Sequence, residues 1–433
     1  MLKLLSRKVK HQALVLYRGT LTPRPQEFAF LQNQGLDVKL AKEPSPGCAW
    51  SVVLRHKDWG EARLNAPVNA SSVPNFFLNF SVNLTERERE EIRAAGMFLD
   101  VTLVTSKEQV LRDKKNLLRF VRAVMSDDAV GSVDADSMLY WTRAALDDEL
   151  AMAADLDVAA LYCIHAVRDS DDDEGRCNWL HTHGLGELGG FDVDILNPSE
   201  SVADSCGDLF RAMAFYILSG DLSPSEKVYP LAHPGGEVRL VPVPEFDAKT
   251  RGSYKQLSGD SPEHWNNRSV LCNPAGGLLG RFRKVHPSTF LSEADTDSIV
   301  IHFSAAATEA MSQRARATVP MLSSLMDEMA EFKLPVLAKI GYKQDGSDQG
   351  EHMWFSVHGI EGDSLDATLE SSPFQIERMK RGDRGLHAID RLTEWAIMSP
   401  FGRISPDSLG PLRRIREDKD SFRAMMAEFN RED

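Results

Sequence analysis

Asn178-Trp179-Leu180-His181-Thr182-His183-Gly184 carries the densest chemistry in the chain, and the reading of its neighbours decides the fold. Laid down as a strand, it puts His181 and His183 on one face and Thr182 on the other, because side chains alternate with period two. Gly184, Gly186, Gly189 and Gly190 follow, and glycines supply the positive-φ conformations of a tight turn. Beyond them Phe191-Asp-Val-Asp-Ile-Leu196 alternates again, with Asp192 and Asp194 on one side and Phe191, Val193 and Ile195 on the other. Upstream, Val158–Val167 is a near-continuous apolar run, which predicts a buried strand with His165 as a core histidine. The acidic stretch Asp169–Glu174 between the two reads as an exposed turn. Glu174 stands where a calcium loop requires its sixth-position glycine.

Two neutral imidazoles on one face are a start for Zn²⁺, which then needs a third protein ligand and an open position for catalysis. Asp192 and Asp194, with Glu187 and more distantly Asp204 and His233, offer that ligand. The opposing reading is that the ring N–H groups of His181 and His183 bond backbone carbonyls and fix the turn before Phe191. Both stay open at this stage. The candidate functional site is Trp179, His181, His183 and Glu187, and the candidate metal set is His181, His183, Asp192 and Asp194.

Outward from this centre, short strands alternate with helices. Ala13–Tyr17, Leu36–Leu40, Trp50–Leu54 and Met97–Val104 read as strands. Thr85 with Glu88 forms a capping box that opens a helix, closed by Gly96. A second helix runs from Lys107 to Met125, and its basic flank (Arg112, Lys114, Lys115, Arg119, Arg122) reads as a solvated face. Residues 208–219 are helical and 237–243 strand-like. Residues 305–332 are helical with a break at Pro320, and their methionines read as core filling. From Pro335 the pattern turns to short strands (336–342, 352–358, 364–369, 385–389) with Gly362-Asp363 and Gly382-Asp383 at turns. The expected fold class is multidomain α+β. An N-terminal α+β domain spans 1–150, and a central α+β domain with the histidine pair spans 151–310. A helical connector (311–333) leads to a small β-rich, barrel-like domain with a polar tail (334–433).

With 433 residues, 42% of them hydrophobic and 26% charged, the chain has the composition of a folded protein long enough for several cores. A net charge of −14 argues against a general nucleic-acid binder. Five cysteines with no CxxC point to reduced thiols rather than a disulfide framework or a zinc knuckle. No run of about 18 apolar residues occurs, so no membrane span is expected, and cytoplasm is the default location. Gly276, Gly277 and Gly280 ahead of Arg281, Arg283 and Lys284 offer a phosphate-binding loop, without the Gly-Lys-Ser/Thr of a P-loop.

Glu351-His352-Met353-Trp354-Phe355-Ser356-Val357, then Gly362-Asp363, Pro373-Phe374, Lys380-Arg381-Gly382-Asp383 and finally Leu392-Thr393-Glu394-Trp395, form an ordered series over the last quarter of the chain. This order resembles the YegJ-like bacterial domain family, with Glu394-Trp395 where that pattern has Asp-Trp. The motif residues are Glu351, His352, Trp354, Gly382, Asp383 and Trp395. Trp179–Leu185 is similar to a stretch of bacterial proteins that carry this domain at their C-terminus. The resemblance implies an architecture and a bacterial origin, and no reaction. Trp179-x-His181-x-His183 also resembles the His-x-His core of the JAMM metalloproteases. Gly184 stands where that pattern has Pro and Gly190 where it has Ser, and Asp192 and Asp194 flank its Asp position, so no catalytic role carries over.

Three functions follow as expectations. The first is a non-catalytic protein-binding or regulatory protein, supported by the acidic surface and the lack of a complete active-site motif. The alternative is a metal-dependent hydrolase centred on His181 and His183. The third is phosphate-ligand binding at residues 276–284.

Overall fold

The structure, a computed structural model, describes residues 8–71, 78, 81, 84–106, 110–168, 176–186, 188–225, 227–233, 236–259, 267–274, 285–293, 300–301, 303–346 and 350–432. Its first sheet is built from β1 (Lys8–Arg18), β2 (Asp37–Leu40), β3 (Cys48–His56), β4 (Gly60–Pro67), β5 (Ala95–Ser106), β6 (Ala129–Asp134) and β7 (Tyr140–Trp141). They lie in the order β2-β3-β4-β5-β1-β6-β7. Helices α1 (Glu86–Arg93), α2 (Val110–Val124) and α3 (Arg143–Ala151) accompany it. Leu117, Phe120, Val121 and Val124 of α2 pack on Val15, Leu64, Leu99 and Val101 of the sheet. The capping box of α1 forms as expected: Thr85 Oγ1 accepts from Glu88 N, and Glu88 Oε2 accepts from Thr85 N at 2.9 Å.

Two expectations fail here for physical reasons. Gly96 does not close α1; it lies inside β5, where a Cβ would sit 2.3 Å from the Gly19 carbonyl oxygen. Its glycine is required by close backbone approach. On α2, Lys114 and Lys115 are buried rather than solvated. Lys114 pairs with Asp134 and, at 3.2 Å, with Asp136, while Lys115 donates to the Met152 carbonyl at 2.8 Å and lies 3.6 Å from Glu149. Burial of these ammonium groups is sustained by partners that a helical period cannot reveal.

The second sheet has the order β14-β11-β12-β13-β10-β9-β8. Its strands are β8 (Cys163–Arg168), β9 (Cys177–His183), β10 (Asp192–Leu196), β11 (Tyr229–His233), β12 (Gly236–Pro242), β13 (Arg268–Cys272) and β14 (Val300–Ile301). The run from Val158 is therefore not one strand: Asp157 Oδ1 accepts from Ala159 N at 2.9 Å and caps a short 3-10 turn, Val158–Leu161, before β8 begins. Helices α4 (Glu200–Ser205), α5 (Gly207–Ser219), α6 (Val243–Thr250) and α7 (Thr289–Glu293) surround the sheet. Phe210, Met213 and Ile217 of α5 cover one face against Leu180, Val193 and Ile195, and Phe246 of α6 covers Trp179, Leu196 and Val270.

Helices α8 (Ala305–Ala317) and α9 (Val319–Met329) meet at the break expected from Pro320. They pack on the third sheet: Trp395 Nε1 donates to Thr318 Oγ1 at 2.9 Å, and Leu322 and Leu325 join Ile340 and Phe355 in one core. That sheet runs β18-β17-β16-β15-β19-β20. Its strands are β15 (Val336–Lys343), β16 (Gly350–Glu361), β17 (Ser364–Leu369), β18 (Arg384–Ala388), β19 (Leu392–Ser399) and β20 (Gly402–Ile404). Among the described residues no pairing joins β18 to β20, so the sheet is open and the barrel-like expectation is corrected. Helices α10 (Gly410–Glu417) and α11 (Lys419–Glu432) complete the chain, with Leu412, Ile415, Phe422 and Met426 in the same core. Three separate sheets with accompanying helices make a multidomain α+β protein. No helix among the described residues is long and apolar enough to cross a membrane.

Two buried arginines, Arg314 and Arg211, and the partly buried Arg413 join the three sheets. Arg314 on α8 donates to both Glu149 carboxylate oxygens (3.1 and 2.6 Å), to the Asp155 carbonyl and to the Pro406 carbonyl, each at 2.8 Å. Arg211 on α5 pairs with Asp157 and lies 3.8 Å from Asp407. Arg413 on α10 reaches Glu88 and Asp148, each at 3.2 Å.

Candidate metal centre

The β8–β9 hairpin lies at the edge of the second sheet, and its register builds the site. Antiparallel pairing sets His165 opposite His181 and Cys163 opposite His183. Period two then puts all four side chains on one face. The ring nitrogens that His165, His181 and His183 offer lie within 4.8 Å of one another. His165 Nδ1 is 3.2 Å from His181 Nε2, and Cys163 Sγ is 3.3 Å from the other nitrogen of His165, Nε2. Ring centroids of the three imidazoles stand 4.6 to 5.0 Å apart. His181 is buried, while His165 and His183 keep partial exposure.

Side chains from its own strand and the next two fix His181. The Trp179 indole lies over its ring at 4.0 Å with a 32° tilt. Trp179 Nε1 donates to Asp194 Oδ1 at 2.7 Å, and Asp194 sits opposite His181 on β10. Arg268 on β13 pairs with Asp194 and stands 5.2 Å from the Trp179 ring centroid. Burial, then the positive charge of Arg268 and the neighbouring imidazoles, push the His181 pKa far below the ordinary histidine range. The ring is thus neutral at physiological pH, the form that ligates metal. Among the described residues its buried Nδ1 has no hydrogen-bond partner.

Asp192 and Asp194, offered by the sequence as ligands, are engaged elsewhere. Asp194 serves Trp179 and Arg268, as described. Asp192 accepts from Thr182 Oγ1 (2.9 Å), Leu185 N (3.2 Å) and Gly186 N (3.1 Å), and so closes the loop after β9. Burial pushes its pKa up to about 6 against the pull of those bonds. Gly184 takes φ +121°, and a Cβ there would meet the Leu161 carbonyl oxygen at 2.4 Å. Glu187 and residues 276–284 with Gly276, Gly277, Gly280, Arg281 and Arg283 lie outside the described residues, as do Asp169–Glu174 and the side chains of Asp204 and His233.

Sequence reasoning missed His165, Cys163 and Arg268 as parts of this site. The signal was present: Cys163-x-His165 and His181-x-His183 share the same period-two spacing on two strands separated by a polar stretch of sequence. Only the register shows that the two pairs face each other.

The C-terminal motif residues are spread over their sheet and make turns and latches. Glu351 accepts from the backbone N–H of Phe374 and Gln375, holding Phe374 82% exposed. His352 Nδ1 faces Thr393 Oγ1 at 3.2 Å, and burial lowers its pKa. Lys339 Nζ lies 5.4 Å from the Trp354 ring centroid. Gly382 takes φ +92°, and Asp383 Oδ2 accepts from Lys380 N at 2.8 Å. Trp395 is fully buried.

Comparison with known proteins adds two partial matches, and neither a curated protein nor a solved structure matches the chain. Residues 164–261, which include His165, His181 and His183, match the family described as "Protein of unknown function (DUF4026) C-terminal". Residues 306–401, from within α8 to the end of β19, match "Uncharacterized protein conserved in bacteria (DUF2314)". The chain is thus similar, in two of its parts, to uncharacterised domains, the second of them conserved in bacteria.

Proposed function

We propose that the β8–β9 hairpin is a metal centre in which His165, His181 and His183 hold a divalent first-row ion of the Zn²⁺ class. The observation that carries this reading is the convergence of the three ring nitrogens within 4.8 Å. Zn–N bonds of ~2.0–2.1 Å in a tetrahedral site put neighbouring nitrogens ~3.3 Å apart. The 3.2 Å between His165 Nδ1 and His181 Nε2 already has that value. Three imidazole ligands leave one position for water, whose pKa a bound zinc ion lowers to about 7. The partial exposure of His165 and His183 gives that position access to solvent. This geometry favours a metal-dependent hydrolase over the purely binding role that the sequence put first.

The protein-recognition reading keeps one specific support. Glu351 fixes the backbone of Phe374 so that an aromatic side chain stands 82% exposed in the segment between β17 and β18. On this second reading the YegJ-like C-terminal region recognises a protein partner in the cytoplasm. We further propose the division into domains at 1–150, 151–310 and 334–433, supported by the partition of the strands among the three sheets, with 311–333 as a connector that packs on the third sheet.

Metal content of protein purified without a histidine tag tests the first reading. About one zinc per chain is expected, lost in His165→Ala/His181→Ala/His183→Ala with the circular dichroism preserved. A metal-free wild type that shows no thermal shift with Zn²⁺ or Mn²⁺ would sink it.

A further inference from the structure

We infer that Cys163 is a positioning residue: its sulfur accepts a hydrogen bond from His165 Nε2–H and thereby leaves the Nδ1 lone pair of His165 facing the other two imidazoles. The inference rests on the metal reading for its purpose and on the hairpin geometry for its content. The two edges of the His165 ring have different neighbours. Nε2 faces Cys163 Sγ at 3.3 Å and Nδ1 faces His181 Nε2 at 3.2 Å.

The unpartnered Nδ1 of His181 selects one proton arrangement. A buried N–H without an acceptor is rarer and costlier than a lone pair without a donor. His181 Nδ1, which has no partner, therefore carries the lone pair, and His181 Nε2 carries the proton. That proton points at His165 Nδ1, which accepts it, and His165 Nε2–H is left to donate to the sulfur. The order of donation is His181 Nε2–H to His165 Nδ1, then His165 Nε2–H to Cys163 Sγ. A thiol is a weak donor and a weak acceptor alike, so the direction of this bond follows from the tautomer of His165. A metal on Nε2 of His181 would displace that ring's proton to Nδ1, at the cost of a buried N–H with no acceptor among the described residues, whereas His165 already presents the right lone pair.

The same geometry keeps Cys163 out of the coordination sphere. A metal on the His165 Nδ1 lone pair and a sulfur on the Nε2 side lie roughly 7 Å apart if both follow the ring's lone-pair directions, against ~2.3 Å for a Zn–S bond. Ligating histidines characteristically donate their second N–H to an outer partner, and loss of that partner costs roughly tenfold to a hundredfold in metal affinity.

The test uses the full chain labelled with ¹⁵N-histidine. In the metal-free wild type, long-range ¹H–¹⁵N correlation should show His165 as the Nε2–H tautomer. Cys163→Ser, which keeps an acceptor, should retain it; Cys163→Ala, which leaves His165 Nε2–H without that acceptor, should shift His165, and His181 with it, toward the Nδ1–H forms and weaken Co²⁺ binding by roughly tenfold to a hundredfold. An Nδ1–H tautomer in the wild type, or a Cys163→Ala variant unchanged in tautomer and affinity, would overturn the assignment. A thiolate-to-cobalt charge-transfer band in the Co²⁺ protein would also overturn it, by making Cys163 a ligand. Failure of the wild type to take up Co²⁺, with His165 in the Nε2–H form, would refute the metal reading alone.

Discussion

Replacing Arg314 by methionine tests how the three sheets are held together. Arg314 is only 5% exposed and spends its guanidinium on four acceptors: both oxygens of Glu149 on α3, the Asp155 carbonyl and the Pro406 carbonyl. Methionine keeps much of the apolar stem, so the cavity term is small. What is lost is the charge and its hydrogen bonds, leaving Glu149 with Lys115 at 3.6 Å as its remaining cation. Breaking a buried ion pair from one side costs about 3–5 kcal/mol, because the surviving charge stays desolvated. That is a large part of the ~5–15 kcal/mol that stabilises a typical protein. The loss falls on contacts between sheets rather than within one. Urea unfolding followed by circular dichroism, with limited proteolysis alongside, should therefore show an earlier transition and faster cleavage near Asp155 while secondary structure persists. Adding Glu149→Gln should cost less in the Arg314→Met background than in the wild type, by about 0.5–3 kcal/mol of coupling. A variant within about 1 kcal/mol of wild type, or additive losses, would refute the role given to this fork.

Three further perturbations have defined outcomes. His11 is fully buried, neither ring nitrogen is hydrogen-bonded among the described residues, and burial, then Lys114, lowers its pKa to about 3. Below its ordinary value of about 6.5 the unfolded chain gains a proton that the folded protein refuses, so stability falls as pH drops, by ~1.4 kcal/mol per unit down to the folded pKa. Between pH 7 and pH 5 wild type should lose ~2 kcal/mol more than His11→Gln in urea titrations, and equal losses would contradict the assignment. Gly184→Ala drives a Cβ to 2.4 Å from the Leu161 carbonyl oxygen at φ +121° and should cost about 2–5 kcal/mol and weaken zinc binding by shifting His183. Unfolding and zinc titrations that match wild type would show the backbone there to be soft. Glu351→Ala removes the acceptor of the Phe374 and Gln375 amides, so hydrogen exchange at these two should accelerate at least about tenfold while global stability changes by less than ~1 kcal/mol. Unchanged exchange would mean that Glu351 does not hold the loop.

What the sequence conveyed well was local. The capping box of α1 needs only Thr85 and Glu88, and the break between α8 and α9 needs only Pro320. The alternation around Asp192 and Asp194 likewise depends on nothing beyond β10. What it hid depends on partners distant in the chain. β4 reads Gly-Glu-Ala-Arg-Leu-Asn-Ala-Pro, poor in β-branched residues, and is a strand because β3 and β5 pair with it. Lys114 is buried because Asp134 and Asp136 reach it from β6 and the turn that follows. His165 reads as a core residue until pairing with β9 sets it against His181. The carboxylates that sequence spacing offers as a third ligand, Asp192 and Asp194, serve the loop after β9, Trp179 and Arg268 instead. A histidine pair on one strand is visible in sequence; a triad across a hairpin requires the register.

Zinc K-edge X-ray absorption on the zinc-loaded protein tests the central claim most directly. Three imidazole rings with nitrogen at ~2.0–2.1 Å are predicted, falling to two in His165→Ala. Retention of zinc with the wild-type spectrum in His165→Ala, or first-shell scattering without imidazole, would contradict a centre built from His165, His181 and His183.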